Sequence, residues 1–210
     1  MARPERESGQ GVVFKPARVE AFSDGVLAVA ITLLVLDLHV DTTGHLPRQL
    51  LREWPSFAAY VVSFFVIGVI WVNHHALFSL AAQVDRVVLF YNLLLLLWVA
   101  AIPFTTATLA GYLHGDTADA RWAVGLYGLS TEGMAISFTL IFGRLVFHDL
   151  LRHPVDRRTG RAAVLRFGVG TVLYPVVIGI GMWSPVAMLV GYLAMTVYYV
   201  IQPTAALAID

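Results

Sequence analysis

Arg18-Val-Glu-Ala-Phe22-Ser23-Asp24-Gly-Val-Leu-Ala-Val29-Ala-Ile-Thr32-Leu33-Leu-Val-Leu36-Asp37 sets an arginine, a serine and an aspartate at the mouth of an otherwise apolar helix. The uninterrupted apolar run, Gly25 to Leu36, covers about 18 Å at about 1.5 Å per residue, short of the roughly 30 Å hydrocarbon core of a bilayer. A helix with so polar an end is poorly suited to face lipid on every side. It packs inside a bundle or lines a water-filled path, where its polar groups find partners.

The rest of the chain sets the environment of that helix. Its 210 residues are 58% hydrophobic and 13% charged, with a mean hydropathy of +0.74. Soluble domains carry about 25% charged residues, so the apolar surplus calls for lipid. A formal net charge of zero argues against a nucleic-acid partner. The absence of cysteine removes disulfides, thiolate metal sites and cysteine catalysis. Residues 1–16 mix charges with glycine and read as a cytoplasmic tail, with no signal-peptide pattern.

Six apolar segments follow. They run from Val19 to Leu38, Ser56 to Phe78, Val87 to Gly111, Trp122 to Phe147, Ala163 to Trp183, and a last one ending near Ile201. Polar connections hold Asp41, Gly44, Pro47 and Arg48, then Gly115, Asp116 and Asp119, then Arg152, Arg157, Arg158 and Arg161. Pro175 predicts a kink and Ser184-Pro185 a break. Trp54, Trp122, Trp183 and Tyr199 stand near segment ends, as interfacial aromatics do. The expected organisation is an all-α membrane protein with six transmembrane helices spanning 17–205, flanked by the tail 1–16 and a short tail 206–210.

Basic residues orient it. With the N-terminus inside, the inner segments hold Arg3, Arg6, Lys15, Arg18, Arg86, Arg152, Arg157, Arg158 and Arg161, and the outer loops only Arg48, Arg52 and Arg121. The excess places both termini in the cytoplasm of a multi-pass protein of the cell membrane.

On an ideal helix of about 100° per residue, Val29, Thr32, Leu33 and Leu36 share one stripe, which Phe22 and Gly25 extend downward. Asp24 lies roughly 140° from Val29 and points sideways into the subunit. The stripe fits either ordinary helix packing or the lining of a central axis. His74 and His75 diverge by about 100°, which disfavours shared chelation, and no third ligand accompanies them, so no metal site is expected. Glu132 and Arg144 fall within the fourth segment, either as functional intramembrane charges or as groups near helix ends. Asp37 and Asp41, near the outer end of the first helix, would raise local cation concentration.

Arg18-x-x-x-Phe22-Ser23-Asp24 resembles the first-helix signature of the transmembrane protein 175 family of potassium channels. Trp71-Val-Asn-His74-His75-Ala-Leu-Phe78 in the second helix, and Asn92 through Trp98 with Pro103-Phe104-Thr105 in the third, extend the resemblance over the first half of the chain. The resemblance implies a homotetrameric channel for potassium and other monovalent cations that passes potassium in preference to sodium. It needs no cofactor, and the permeant potassium ion is its cargo. The first helix of each subunit would line a central pore, with Val29, Thr32, Leu33 and Leu36 forming a hydrophobic constriction. Family members usually carry isoleucine or leucine where Val29 stands, so its ring is expected to be wider. Within this frame Ser23 and Asp24 are expected to hydrogen-bond Trp71, His75 and Asn92, tying the first helix to the second and third. Arg18 would pair with an acid on a neighbouring helix or sit at the inner mouth.

Against the channel stand a secondary transporter, which would favour internal repeats and interrupted spans, and a non-conducting membrane scaffold. An enzyme would need a nucleophile with its base or a metal constellation, and neither is legible.

Overall fold

Pro16 opens the first helix, α1 (Pro16–Leu33), where its missing N–H costs nothing because the first turn has no acceptor for it. In this computed structural model, which describes residues 14–39, 45–113 and 118–201, helices account for most of the described residues. The others are α2 (Leu46–Arg52), α3 (Trp54–Leu80), α4 (Arg86–Tyr112), α5 (Ala118–Phe147), α6 (Arg157–Phe167), α7 (Gly170–Gly181) and α8 (Pro185–Ile201). Proline also starts α2 and α3, whereas Asp85 caps α4 by accepting from Val88 N–H at 2.9 Å. The tails 1–13 and 202–210, and the turn residues Asp41, Gly44, Gly115 and Asp116, lie outside the described residues.

Among the described residues five stretches are long and apolar enough to cross a membrane: Pro16–Asp37, Trp54–Leu80, Arg86–Tyr112, Ala118–Phe147 and Arg157–Gly181. The sixth apolar segment, α8, is shorter at 17 residues. The fifth stretch is interrupted at Gly168–Val169, before the proline expected to kink it. Tyr199 explains the position of the break. Its hydroxyl donates to the Phe167 carbonyl at 3.1 Å, and it passes so close to Gly170 that a Cβ there would lie 2.3 Å from the phenol oxygen.

The core forms where α4 packs along α5, with α1 and α3 packed on α4 and on each other, α7 on α5, and α8 between α7 and α3. Glycine allows the tightest approaches, since a Cβ on Gly133 would sit 2.3 Å from the Trp98 ring and one on Gly128 2.5 Å from Ile178. Buried hydroxyls stitch the layers. Thr106 donates to Ser63 at 2.8 Å, Ser63 meets Tyr127 at 3.0 Å, and Thr131 meets Tyr192 at 2.6 Å.

Three chain segments meet at the end of the bundle where α1 begins. Phe14 and Val84 exchange backbone hydrogen bonds of 2.8 and 3.0 Å, Ala82 N–H donates to Leu150 O, and Arg152 N–H donates to Leu80 O. There Arg144 holds Asp85 through Nε at 2.9 Å and Nη2 at 2.7 Å. Burial pushes the Asp85 carboxyl up, but bonds from Val88 N–H and the Arg144 guanidinium outweigh it and hold it below the usual carboxylate range. Arg144 is thus a paired group at a helix end. Glu132 stands in mid-helix, its Oε2 buried without a hydrogen-bond partner.

Candidate functional site: the two faces of the first helix

The residues of α1 divide sharply by exposure. Val19, Ser23, Leu27, Ala30 and Leu34, spaced three and four apart, are buried against α3 and α4. On the other side Arg18, Phe22, Gly25, Val29, Thr32, Leu33 and Leu36 are exposed among the described residues. Val29 is 57% exposed and Leu36 65%, against 1% for Leu27 and Leu34. The Thr32 hydroxyl donates back to Val29 O at 2.8 Å, so this side chain brings no unmet donor to the stripe.

The end of the helix departs from the regular geometry expected through Leu38. Leu34–Asp37 winds as a 3-10 helix. In a 3-10 turn residues three apart eclipse one another, so Leu36 stands directly beyond Leu33 instead of about 60° around the axis. The two leucines form one apolar column.

The buried side of α1 carries the polar cluster. Asn92 Nδ2 donates to Ser23 Oγ at 2.9 Å, Ser23 donates to Val19 O at 2.9 Å, and His74 Nε2 lies 2.9 Å from Asn92 Oδ1. With the Asn92 carbonyl oxygen able only to accept, the His74 proton sits on Nε2. His74 stacks on Phe78 with ring centroids 4.3 Å apart. The relay runs in one direction, from α3 through α4 to the α1 backbone. All its side chains are buried.

A second set of contacts joins α1 directly to α3. Trp71 Nε1 donates to Asp24 Oδ1 at 3.0 Å, and one turn away His75 Nδ1 lies 2.5 Å from Glu20 Oε1. Glu20 and Asp24 are one turn apart on α1, as Trp71 and His75 are on α3. The two antiparallel helices therefore meet as a two-rung ladder.

Ser23, Asp24, Trp71 and Asn92 are thus brought together much as expected, but the histidines exchange roles. His74, not His75, reaches Asn92, while His75 turns to Glu20. The expected bond from His75 to Ser23 or Asp24 is absent because adjacent helical residues diverge by about 100° and only His74 faces α4. Glu20 and His74 are the residues that sequence reasoning missed. The four-residue spacing of Glu20 and Asp24, matching that of Trp71 and His75, was the available signal. Arg18 is exposed at the mouth and pairs with no described acid, and Phe22 projects beside it, 57% exposed. Among the described residues no three His, Asp or Glu side chains gather to hold a metal ion.

Residues 18–103, which hold α1, α3 and most of α4, match the model of the family described as endosomal/lysosomal potassium channel TMEM175. A potassium channel of Streptomyces collinus is 46% identical over 186 residues, covering 87% of this chain and 90% of that one. The chain belongs to the TMEM175 family. A potassium channel of Chamaesiphon minutus is 38% identical over 202 residues, covering 90% of this chain and 95% of the relative. The fold agrees: the crystal structure of a lysosomal potassium-selective channel TMEM175 homologue from Chamaesiphon minutus superposes with a TM-score of 0.78 at 35% identity, over 89% of this chain and 97% of that one. A TMEM175 chain with these apolar helices is a multi-pass membrane protein of a channel family, not of an enzyme family.

Proposed function

We propose that the chain is one subunit of a homotetrameric potassium channel, conducting potassium in preference to sodium, with α1 of each subunit lining the central pore. The observation that carries the proposal is the division of α1. One side is fixed to α3 and α4 by buried polar bonds, and the other leaves Val29, Thr32, Leu33 and Leu36 uncovered. Four copies arranged about an axis turn that column into stacked rings. Rings of apolar side chains oppose ions by the cost of stripping their water, a cost that differs between potassium and sodium. Asp37, at the outer end, concentrates cations at the mouth.

The signature residues have a supporting part in this reading. Ser23, Asp24, Trp71, His75 and Asn92 hold the rotation of α1, so that the column and not its flanks meets the axis. Arg18 and Phe22 belong to the inner mouth. The domain 17–205 crosses the cell membrane six times, α8 completing the last crossing with about 26 Å of helix. Both termini face the cytoplasm, in line with the arginines gathered at the end where α1 begins. Family membership and the names of the relatives support conduction of potassium.

Flux from proteoliposomes under potassium, sodium and caesium gradients tests this reading, with Leu36→Ala measured in parallel. Faster potassium than sodium flux, with the ratio altered by the variant, is the expected result. Flux that depends on a counter-ion gradient would instead indicate a secondary transporter, and assembled protein without flux a scaffold.

A further inference from the structure

Conduction along α1 leaves a basic groove on α6 without a role. Arg157, Arg161 and Leu165 follow one another at four-residue intervals and share one row of the helix, with Arg158 and Ala162 in the next row. Together with Phe147, at the end of α5, they line an open groove of about 710 Å³. All three arginines are exposed, and none forms an ion pair with a described acid. The neighbouring acid, Asp156, caps the helix by accepting from Arg158 N–H at 2.9 Å and Thr159 N–H at 3.1 Å, and its charge also acts on the Arg158 guanidinium. The groove therefore keeps a clear excess of positive charge.

Its apolar wall is equally open. Leu165 is 64% exposed and Phe147 48%. The packing of α6 on α5 holds the two walls in place: a Cβ on Gly160 would lie 2.5 Å from Val146 Cγ1. The groove stands at the polar start of the apolar stretch Arg157–Gly181, on the end of the bundle where α1 begins.

We propose that this groove binds an anionic phospholipid, its phosphate on Arg157, Arg158 and Arg161 and the first part of its acyl chains on Phe147 and Leu165. Guanidinium groups suit phosphate oxygens through paired N–H donors. Basic clusters beside a membrane span attract anionic headgroups. Free phosphate would satisfy the arginines but leave both large apolar side chains uncovered, which favours the lipid. The site is separate from the α1 column and goes beyond the channel reading; it holds whether or not the chain conducts.

Native mass spectrometry of the purified protein, titrated in micelles with phosphatidylglycerol or phosphatidylcholine, tests it. The expected result is at least tenfold tighter retention of phosphatidylglycerol, abolished in the triple variant Arg157→Gln, Arg158→Gln, Arg161→Gln. Arg48→Gln with Arg52→Gln, at the opposite end, leaves it intact. Ala162→Trp fills the groove without changing its charge and is also expected to release the lipid. Equal retention of the two lipids, or undiminished preference in either groove variant, overturns the proposal. Displacement of phosphatidylglycerol by an equal concentration of inorganic phosphate overturns it in favour of a free-anion site.

Discussion

Asn92 Nδ2 donates to Ser23 Oγ at 2.9 Å, joining α4 to α1 between residues 69 positions apart. Since His74 uses the other end of the same amide, one side chain serves three helices. Replacing Asn92 by leucine leaves the His74 Nε2–H buried without its acceptor and takes the donor from Ser23 Oγ, which keeps its own bond to Val19 O. The expected loss is about 2 kcal/mol or more, because each unmet buried group costs about 1–3 kcal/mol. It should appear as a clear fall in the melting temperature of the detergent-solubilised protein; an unchanged melting temperature would contradict the relay.

Trp71 and Asp24 form the rung of the ladder farther from the start of α1, and the indole is only half-covered by the chain. Trp71→Phe, Asp24→Ala and the double variant close a thermodynamic cycle. A coupling of about 0.5–1.5 kcal/mol is expected from one such hydrogen bond. The fraction of protein running as an assembled oligomer on size exclusion should fall with Asp24→Ala. Wild-type assembly together with wild-type conductance in that variant would remove the orienting role from the ladder.

Leu34 and Leu36 are two positions apart and opposite in circumstance, 1% and 65% exposed. Leu34→Ala empties part of the core and should cost about 2–5 kcal/mol. Leu36→Ala should leave stability within about 0.5 kcal/mol and change ion selectivity in the flux assay. Reversed outcomes for the pair would mean that α1 is rotated from the orientation described.

Asp85 gives a pH dependence with a definite sign. Its carboxyl is held below its ordinary value of 3.8 in the folded protein. The stability it contributes is therefore present above that ordinary value and lost as pH falls through the lower folded one. Asp85→Asn keeps a helix-capping side chain but removes the charge facing Arg144. It should lower stability at neutral pH and flatten the decline on acidification; a parallel decline in both proteins would assign acid sensitivity to other groups.

Gly133 tests close packing. An alanine methyl there would lie 2.3–2.6 Å from the Trp98 indole, an overlap expected to cost about 1–3 kcal/mol. Trp98→Phe should recover part of that loss in the double variant. Additive losses would mean that the strain is relieved elsewhere.

Much of this arrangement is legible in the residues themselves, and the remainder has a physical reason for being hidden. The stripe Val29, Thr32, Leu33 is local periodicity, which an ideal helix predicts; that this side and not the other is left exposed depends on how α1 packs on α3 and α4. Leu36 moves into register with Leu33 only because the last turn tightens, and no residue type in Leu34–Asp37 announces a 3-10 turn. The choice between His74 and His75 depends on how α3 is rotated against α4. That rotation is settled by contacts such as Ser63 with Thr106, far along both helices. The interruption at Gly168 was masked by Pro175, the stronger local signal, because it depends on Tyr199, some thirty positions away.

The junction of Phe14, Ala82, Val84, Leu150 and Arg152 is made by peptide groups. Such peptide bonds do not depend on side chains, although the Arg152 guanidinium adds one bond of its own to Ala81 O at 3.1 Å. Substitutions can accumulate at the exposed Ala82 without parting the three segments, so long as they spare the amide hydrogen, whereas Val84 is also held by its burial in the core. Proline is the exception: at either position it deletes a donor, and the loops would separate however well it filled the space. Tolerance of sequence change at Ala82 should thus be broad and end abruptly at one amino acid.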